Sequence, residues 1–245
     1  HNSSLKRDFR FLISNRPWVV LFFAAIFTLA NVAVKNAVTV HFFKYYAGDD
    51  GSAYFLFMDR TTLFLTTGML AMILGVASTK LFTKRFEKKT LMIWLSLLNA
   101  VSMVIIFFIP PDQYWTMMAV NIVGMFLVGP TPALVWAMYA DVADYGEWKY
   151  GRRTTGLVFS AAQFAQKFGL TIGGGLSGWM LGLAGFVANI EQTETSLLGI
   201  RLMFTIIPAC FAVMNVVALI FYNLSDKQVE QIENDLDQRR SHVSA

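Results

Sequence analysis

Long apolar runs, separated by short polar stretches, dominate this chain. A helix that crosses the hydrocarbon of a bilayer needs about twenty mostly apolar residues. Six runs of that kind follow one another, over residues 17–43, 53–78, 91–109, 114–140, 155–183 and 197–222. Pro17 suits the first turn of the first helix, where its missing N–H costs nothing. YYAGDDGS makes a tight polar turn after it. Pro110 and Pro111 stop the third run, because the residue before a proline is biased away from helix. Gly129, Pro130 and Pro132 predict a kink or break inside the fourth. Residues 1–16 are a basic linker end, 17–222 the transmembrane unit, and 223–245 a polar, partly ordered cytoplasmic tail with a weak helical pattern. The fold class expected is an all-α membrane protein with six transmembrane helices.

Composition supports that picture. Of the 245 residues 56% are hydrophobic and 15% charged, against about 25% charged in a soluble domain. The net charge of +4 lies in short clusters between apolar runs, which excludes a nucleic-acid-binding surface. Such clusters mark cytoplasmic loops. Lys6, Arg7, Arg10 and Arg16 fall on the same side as Lys80, Lys84, Arg85, Lys88 and Lys89. Lys149, Arg152, Arg153, Lys227, Arg239 and Arg240 fall there too, while Lys44 and Arg201 fall on the other side. Both ends of the chain are thus expected in the cytoplasm. The start, HNSSLKRDFRF, is polar and basic and does not read as a secretory signal. The single cysteine, Cys210, excludes an intrachain disulfide and reads as a small packing residue. His1, His41 and His242 lie far apart, so no metal site and no cofactor are expected.

Ionisable groups are expensive inside a bilayer and usually face a cavity or a partner. Lys35 lies roughly 25 Å along the first helix, and Asp59 and Arg60 roughly 10 Å into the second from its outer end. The similar depth allows a Lys35–Asp59 pair; the alternative is that Lys35, like Arg60, snorkels to the headgroups. Lys167 lies roughly 18 Å into the fifth helix, near the midplane, with no acid at its depth. Its partner is then a substrate or a carboxylate from another chain segment. Ser160, Gln163 and Lys167 share one helix face, which Gly156 extends; plain interhelical hydrogen bonding is the ordinary reading of Ser160 and Gln163. Asn31 and Lys35 form a similar stripe on the first helix. Gly174, Gly178 and Gly182 follow the small-residue spacing that lets helices approach closely, and close packing is expected there. Trp18 fits the cytoplasmic aromatic belt. Trp136 reads as belt or packing, with stacking on a sugar as the rarer alternative.

The run DVADYGEWKYGRR is dense in charge and aromatics. Acids at a helix C-terminus oppose the macrodipole, so Asp141 and Asp144 need partners, and Arg152 and Arg153 are near in sequence. With Glu147 they read as a cytoplasmic latch; a solvated loop is the plainer reading.

The run DVADYGEWKYGRRTTGLVFSAAQFAQK, the glycine-rich helix and WMLGLAGF that follow it, and the opening SLKRDFRFLISNRPW resemble the glycoside–pentoside–hexuronide:cation symporters, the melibiose-permease family. The resemblance spans residues 5–222. It implies the major facilitator fold, twelve helices in two bundles, with this chain as the C-terminal six-helix bundle. It implies an N-terminal six-helix bundle as partner, a small sugar or glycoside as substrate, the bacterial inner membrane as location, and a coupling cation, Na⁺ or H⁺, held largely by the other half. Lys167 matches the family's membrane-embedded lysine and Gln163 a position near the sugar. Asp141, Asp144, Glu147 and Arg153 match a loop that engages the other bundle. Glu87 stands where the family usually has glycine, and Pro132 where an aromatic faces the sugar. The competing readings are a six-span channel or enzyme, or a half-size unit working as a homodimer. An enzyme would need nucleophile, base or metal ligands gathered at one depth, and no such cluster is visible in the sequence.

Overall fold

The computed structural model describes residues 10–151 and 155–243. These form α1 (Arg16–His41), α2 (Arg60–Thr83), α3 (Lys88–Phe108), α4 (Tyr114–Val128), α5 (Thr131–Tyr150), α6 (Thr155–Leu183), α7 (Glu194–Phe204), α8 (Ile206–Ile220) and α9 (Asp226–Val243). Five helical stretches among the described residues are long and apolar enough to cross a membrane: Arg16–Tyr46, Arg60–Thr83, Lys88–Phe108, Tyr114–Tyr150 and Glu194–Ile220. At 29 residues α6 is long enough to be the sixth. Gln163, Gln166, Lys167 and its glycines dilute its hydropathy.

Local chemistry sets the ends. The Asn15 side chain caps α1 by accepting from Trp18 N, with Pro17 in the first turn. Asp59 caps α2 by accepting from Thr62 N. The expected break in the fourth run falls between α4 and α5, where Gly129 ends one helix and Pro130 begins the next. The sixth run also breaks, between α7 and α8 at Thr205 (φ −127°, ψ −70°). Pro208, three residues on, has no N–H to give the carbonyl of Phe204, so a continuous helix is not available there.

Several expectations are revised here. Residues 53–59 are not helical, so Asp59 and Arg60 stand at the start of α2 rather than inside it. Trp18 is 5% exposed and belongs to the core, not to an aromatic belt. The tail is folded: α9 buries Val229, Ile232 and Leu236 in the same cluster as Leu91, Leu134, Met138 and Val142. A three- and four-residue spacing of apolar positions in a polar helix carries that docking.

The helices pack as an arc. Helix α1 lies along α6 and α8; α3 lies along α8 and α4; α2 lies along α4. One core cluster gathers at the basic end around Trp18, Tyr139 and Val142. The other gathers at the far end around Phe42, Phe43, Phe64, Tyr114 and Phe204, with Phe42 stacked on Phe204 at 4.1 Å. Helices in lipid associate through close packing rather than a hydrophobic drive, and glycines supply it. A Cβ at Gly169 would sit 2.5 Å from the Ile26 carbonyl oxygen, and one at Gly173 2.6 Å from that of Ala30, so α6 touches the backbone of α1. Gly174, Gly178 and Gly182 do not pack in this way: a Cβ at any of them meets nothing within 4 Å. They are one position round the helix from the seam, on its free side. Cys210 is likewise exposed instead of packed inside.

Candidate functional site: the open face of α6 and the charged end of α5

Helix α6 has two unlike faces. Val158, Ala162, Ala165, Gly169, Gly173 and Ser177 are buried against the bundle. Gly156, Ser160, Gln163, Lys167 and Thr171 are exposed along the other side. The Ser160 hydroxyl donates back to the Gly156 carbonyl at 2.8 Å, and the Thr171 hydroxyl to the Lys167 carbonyl at 3.0 Å. Among the described residues no ion pair reaches the Lys167 ammonium. The sequence-predicted stripe is thus real, and it is open rather than spent on contacts within the bundle. Trp136 stands beside it. It is 38% exposed and lies nearly parallel to Phe159 of α6 at 5.9 Å.

Asn31 and Lys35 do not join that stripe. Asn31 is buried and donates to the Pro208 carbonyl at 2.9 Å, so it braces the broken helix against α1. The Lys35 ammonium lies 5.4 Å from the centre of the Phe204 ring. A cation over an aromatic face is favourable. The Lys35–Asp59 pair, one of the two readings the sequence allows, does not form: Asp59 stands at the end of α2 as its cap. Both residues serve the contact of α1 with α7 and α8.

At the basic end the charged run is mostly helix. Helix α5 continues to Tyr150 and ends on Gly151 in the left-handed region (φ 66°). Asp141 and Asp144 therefore lie inside the helix rather than in its last turn. Asp141 is 7% exposed, and its carboxylate pairs with Lys88 at 2.5 Å. Lys88 also lies 3.6 Å from Asp226, and its backbone N–H donates to Asp226 at 3.1 Å. One triad, buried at Asp141 and open to solvent at Asp226, so ties the start of α3, the middle of α5 and the start of α9. Glu147 pairs with Arg240 at 3.1 Å, Trp148 Nε1 donates to Asp235 at 2.9 Å, and Arg239 donates to the Trp148 carbonyl at 3.1 Å. Arg152 and Arg153 lie outside the described residues. Asp141 and Glu147 thus engage α3 and α9. Sequence reasoning missed Lys88 and Arg240, which lie 53 and 93 residues from their partners; no local pattern announces such pairs.

Asp144 is half-buried on the same helix. The geometry as a whole gives a strapped, ion-paired basic end and one polar helix face with room beside it. Among the described residues no cluster of His, Cys, Asp or Glu could hold a metal ion.

The model of the MFS/sugar transport protein family matches residues 1–226. The chain is 32% identical to YagG of Escherichia coli (strain K12), which is named as a candidate glycoside/cation symporter, over 98% of this chain and 50% of that protein. It is 30% identical to the inner membrane symporter YicJ of the same organism, over 96% of this chain and 50% of the other. It is 32% identical to the isoprimeverose transporter of Lactiplantibacillus pentosus, over 98% of this chain and 48% of that one. The chain spans about half the length of these relatives. A membrane bundle with a charged, strapped end and a polar helix face, matched by this family model over nearly its whole length, belongs to the MFS/sugar transport protein family.

Proposed function

We propose that this chain is the C-terminal six-helix bundle of a twelve-helix sugar:cation symporter. The observation that carries the reading is the open face of α6, where Ser160, Gln163 and Lys167 are exposed near the middle of a membrane helix. A lysine at that depth does not face acyl chains. It needs water, a substrate or a carboxylate, and the half-length match to the relatives supports a second bundle supplying them. Relatives named for glycosides and for isoprimeverose support a sugar or glycoside as the substrate class.

In this reading the sugar and the coupling cation sit between the bundles at the midplane, and rocking of the two bundles exposes them to each side in turn. The Lys167 ammonium reaches a carboxylate of the other bundle when the cation is absent and is displaced from it when the cation binds. Gln163 and Ser160 offer hydrogen bonds to sugar hydroxyls, and Trp136 offers an apolar ring face at the edge of the passage. The basic end lies in the cytoplasm with both ends of the chain, as the clustered lysines and arginines support. There Asp144, Arg152 and Arg153 form the side that closes on the other bundle, while Asp141 and Glu147 hold α5 to α3 and α9 behind it.

The test is uptake of labelled glycosides, pentosides and hexuronides by cells expressing the intact transporter, with and without a Na⁺ or H⁺ gradient. Accumulation of one sugar that collapses with one gradient is the expected result. Uptake indifferent to both gradients, from protein shown to be in the membrane, overturns the symport reading.

A further inference from the structure

The loop between α1 and α2 carries an apolar tip that nothing in this bundle covers. Phe55, Leu56 and Phe57 are 51%, 75% and 81% exposed. The tip is nonetheless built. Tyr54 N and Phe55 N both donate to the Met58 carbonyl, at 2.8 and 3.1 Å, and Met58 N returns a bond to the Phe55 carbonyl at 3.0 Å. Leu56 sits in the left-handed region (φ 55°), which side chains other than glycine rarely adopt. Such strain persists only where the surroundings impose it, and it clusters at functional positions.

The surroundings are visible. Tyr54 packs edge-on to Tyr114 at 5.2 Å and against Trp115 at 5.8 Å. The Arg60 guanidinium lies 4.7 Å from the Tyr54 ring and donates to the Ala47 carbonyl at 2.6 Å. The Tyr114 hydroxyl donates to the Arg60 carbonyl at 2.7 Å. The base of the turn is thereby clamped while its three apolar side chains project.

We propose that this tip docks on the outer end of the other six-helix bundle and closes the outer mouth of the passage. The proposal rests on the half-transporter reading above. Three observations favour a protein partner over the bilayer. The tip leads directly into α2, a rim helix of the arc that packs along α4 and leaves Leu65, Met69, Ile73 and Leu74 exposed. The tip is flanked by three acids, Asp49, Asp50 and Asp59, and one base, Arg60, which is turned back onto the Tyr54 ring and the Ala47 carbonyl, whereas surface-inserting segments carry several lysines and arginines beside their apolar residues. Its shape is fixed, as suits a complementary pocket; insertion among acyl chains asks for no particular shape. An exposed, rigid apolar patch rimmed by polar groups marks an interaction site.

The test uses the full-length transporter in liposomes, with its native cysteines, Cys210 included, replaced by serine. Phe57→Cys carries an environment-sensitive fluorophore; at 81% exposure the substitution removes no contact inside the bundle. Iodide in the outer solution and nitroxide-labelled lipid are the two quenchers. At least half of the emission is expected to resist both, because the dye is held between the bundles whenever the outer side is closed. Strong quenching by the labelled lipid shows membrane insertion and overturns the proposal. Complete quenching by iodide shows a free loop and overturns it as well. Sugar uptake by the same preparation reports on the half-transporter reading separately, so a failed tip and a failed transporter give different results.

Discussion

The two sides of α6 have opposite surroundings. On one side Gly169 and Gly173 bring its backbone onto Ile26 and Ala30 of α1. On the other, Gly174, Gly178 and Gly182 meet nothing, and Ser160, Gln163 and Lys167 lie exposed above them. Glycine spacing alone therefore does not say which face is packed. The two series, 169–173 and 174–178–182, have the same four-residue step and opposite surroundings. What separates them is the polar stripe: the side that carries Lys167 is the side kept open. A seam holds the helix, and an open face gives it something to do.

That comparison can be broken at several points. The largest effect on transport is expected from Lys167→Ala in the intact transporter. Gradient-driven accumulation should fall more than tenfold, which is over about 1.4 kcal/mol of lost coupling, while membrane expression and thermal stability stay unchanged. Unchanged accumulation would remove the lysine from the mechanism. Asp141→Ala is expected to act on stability instead. It removes the buried carboxylate from Lys88, which keeps Asp226 at 3.6 Å, so the expected cost is about 2 kcal/mol, that of a hydrogen bond to a charged group. The readout is the melting temperature of the detergent-solubilised protein. Gly173→Val forces a side chain onto the Ala30 carbonyl and should cost about 2 kcal/mol by overpacking. Gly178→Val, one helical turn on and round the corner, should change bundle stability by less than about 0.5 kcal/mol. A fall in uptake at unchanged stability would then locate the partner bundle on that face.

The smallest effect concerns the far end. Partial burial raises the Asp49 carboxyl, but hydrogen bonds from the Thr61 hydroxyl, Thr61 N and Gly51 N outweigh it and hold the group below the usual carboxylate range. A carboxyl depressed in the folded state stabilises above its unfolded pKa and loses that contribution as pH falls through the folded value. The melting temperature should therefore decline below about pH 4, and Asp49→Asn should flatten that part of the profile.

Much of this was legible in the sequence. The 155–183 helix, the break at Gly129 and Pro130, and the Ser160–Gln163–Lys167 face all follow from runs, breakers and spacing, which are local signals. The failures share a cause. The apolar residues of 53–59 resemble the start of a membrane helix, yet Asp59 competes for the role of cap and the Tyr54 ring packs onto Tyr114 and Trp115 instead. Pro208 announces a break only when its missing bond to Phe204 is counted. Asp141 finds Lys88, and Glu147 finds Arg240, across the bundle, where sequence distance carries no information. Asn31 and Lys35 look like a second polar stripe because spacing places them on one face; only the packing shows that this face meets α7 and α8.

The central claim is that the open face of α6 borders water between two bundles rather than lipid. The most direct measurement is labelling of Gln163→Cys in the intact, otherwise cysteine-free transporter with a water-soluble, membrane-impermeant maleimide. Phe164→Cys, next to it and also exposed, gives the comparison. The account predicts that the cysteine at 163 reacts and that prior incubation with the transported sugar slows it several-fold. A cysteine at 163 that stays unreactive, and that is instead quenched or labelled from the lipid phase, would contradict it.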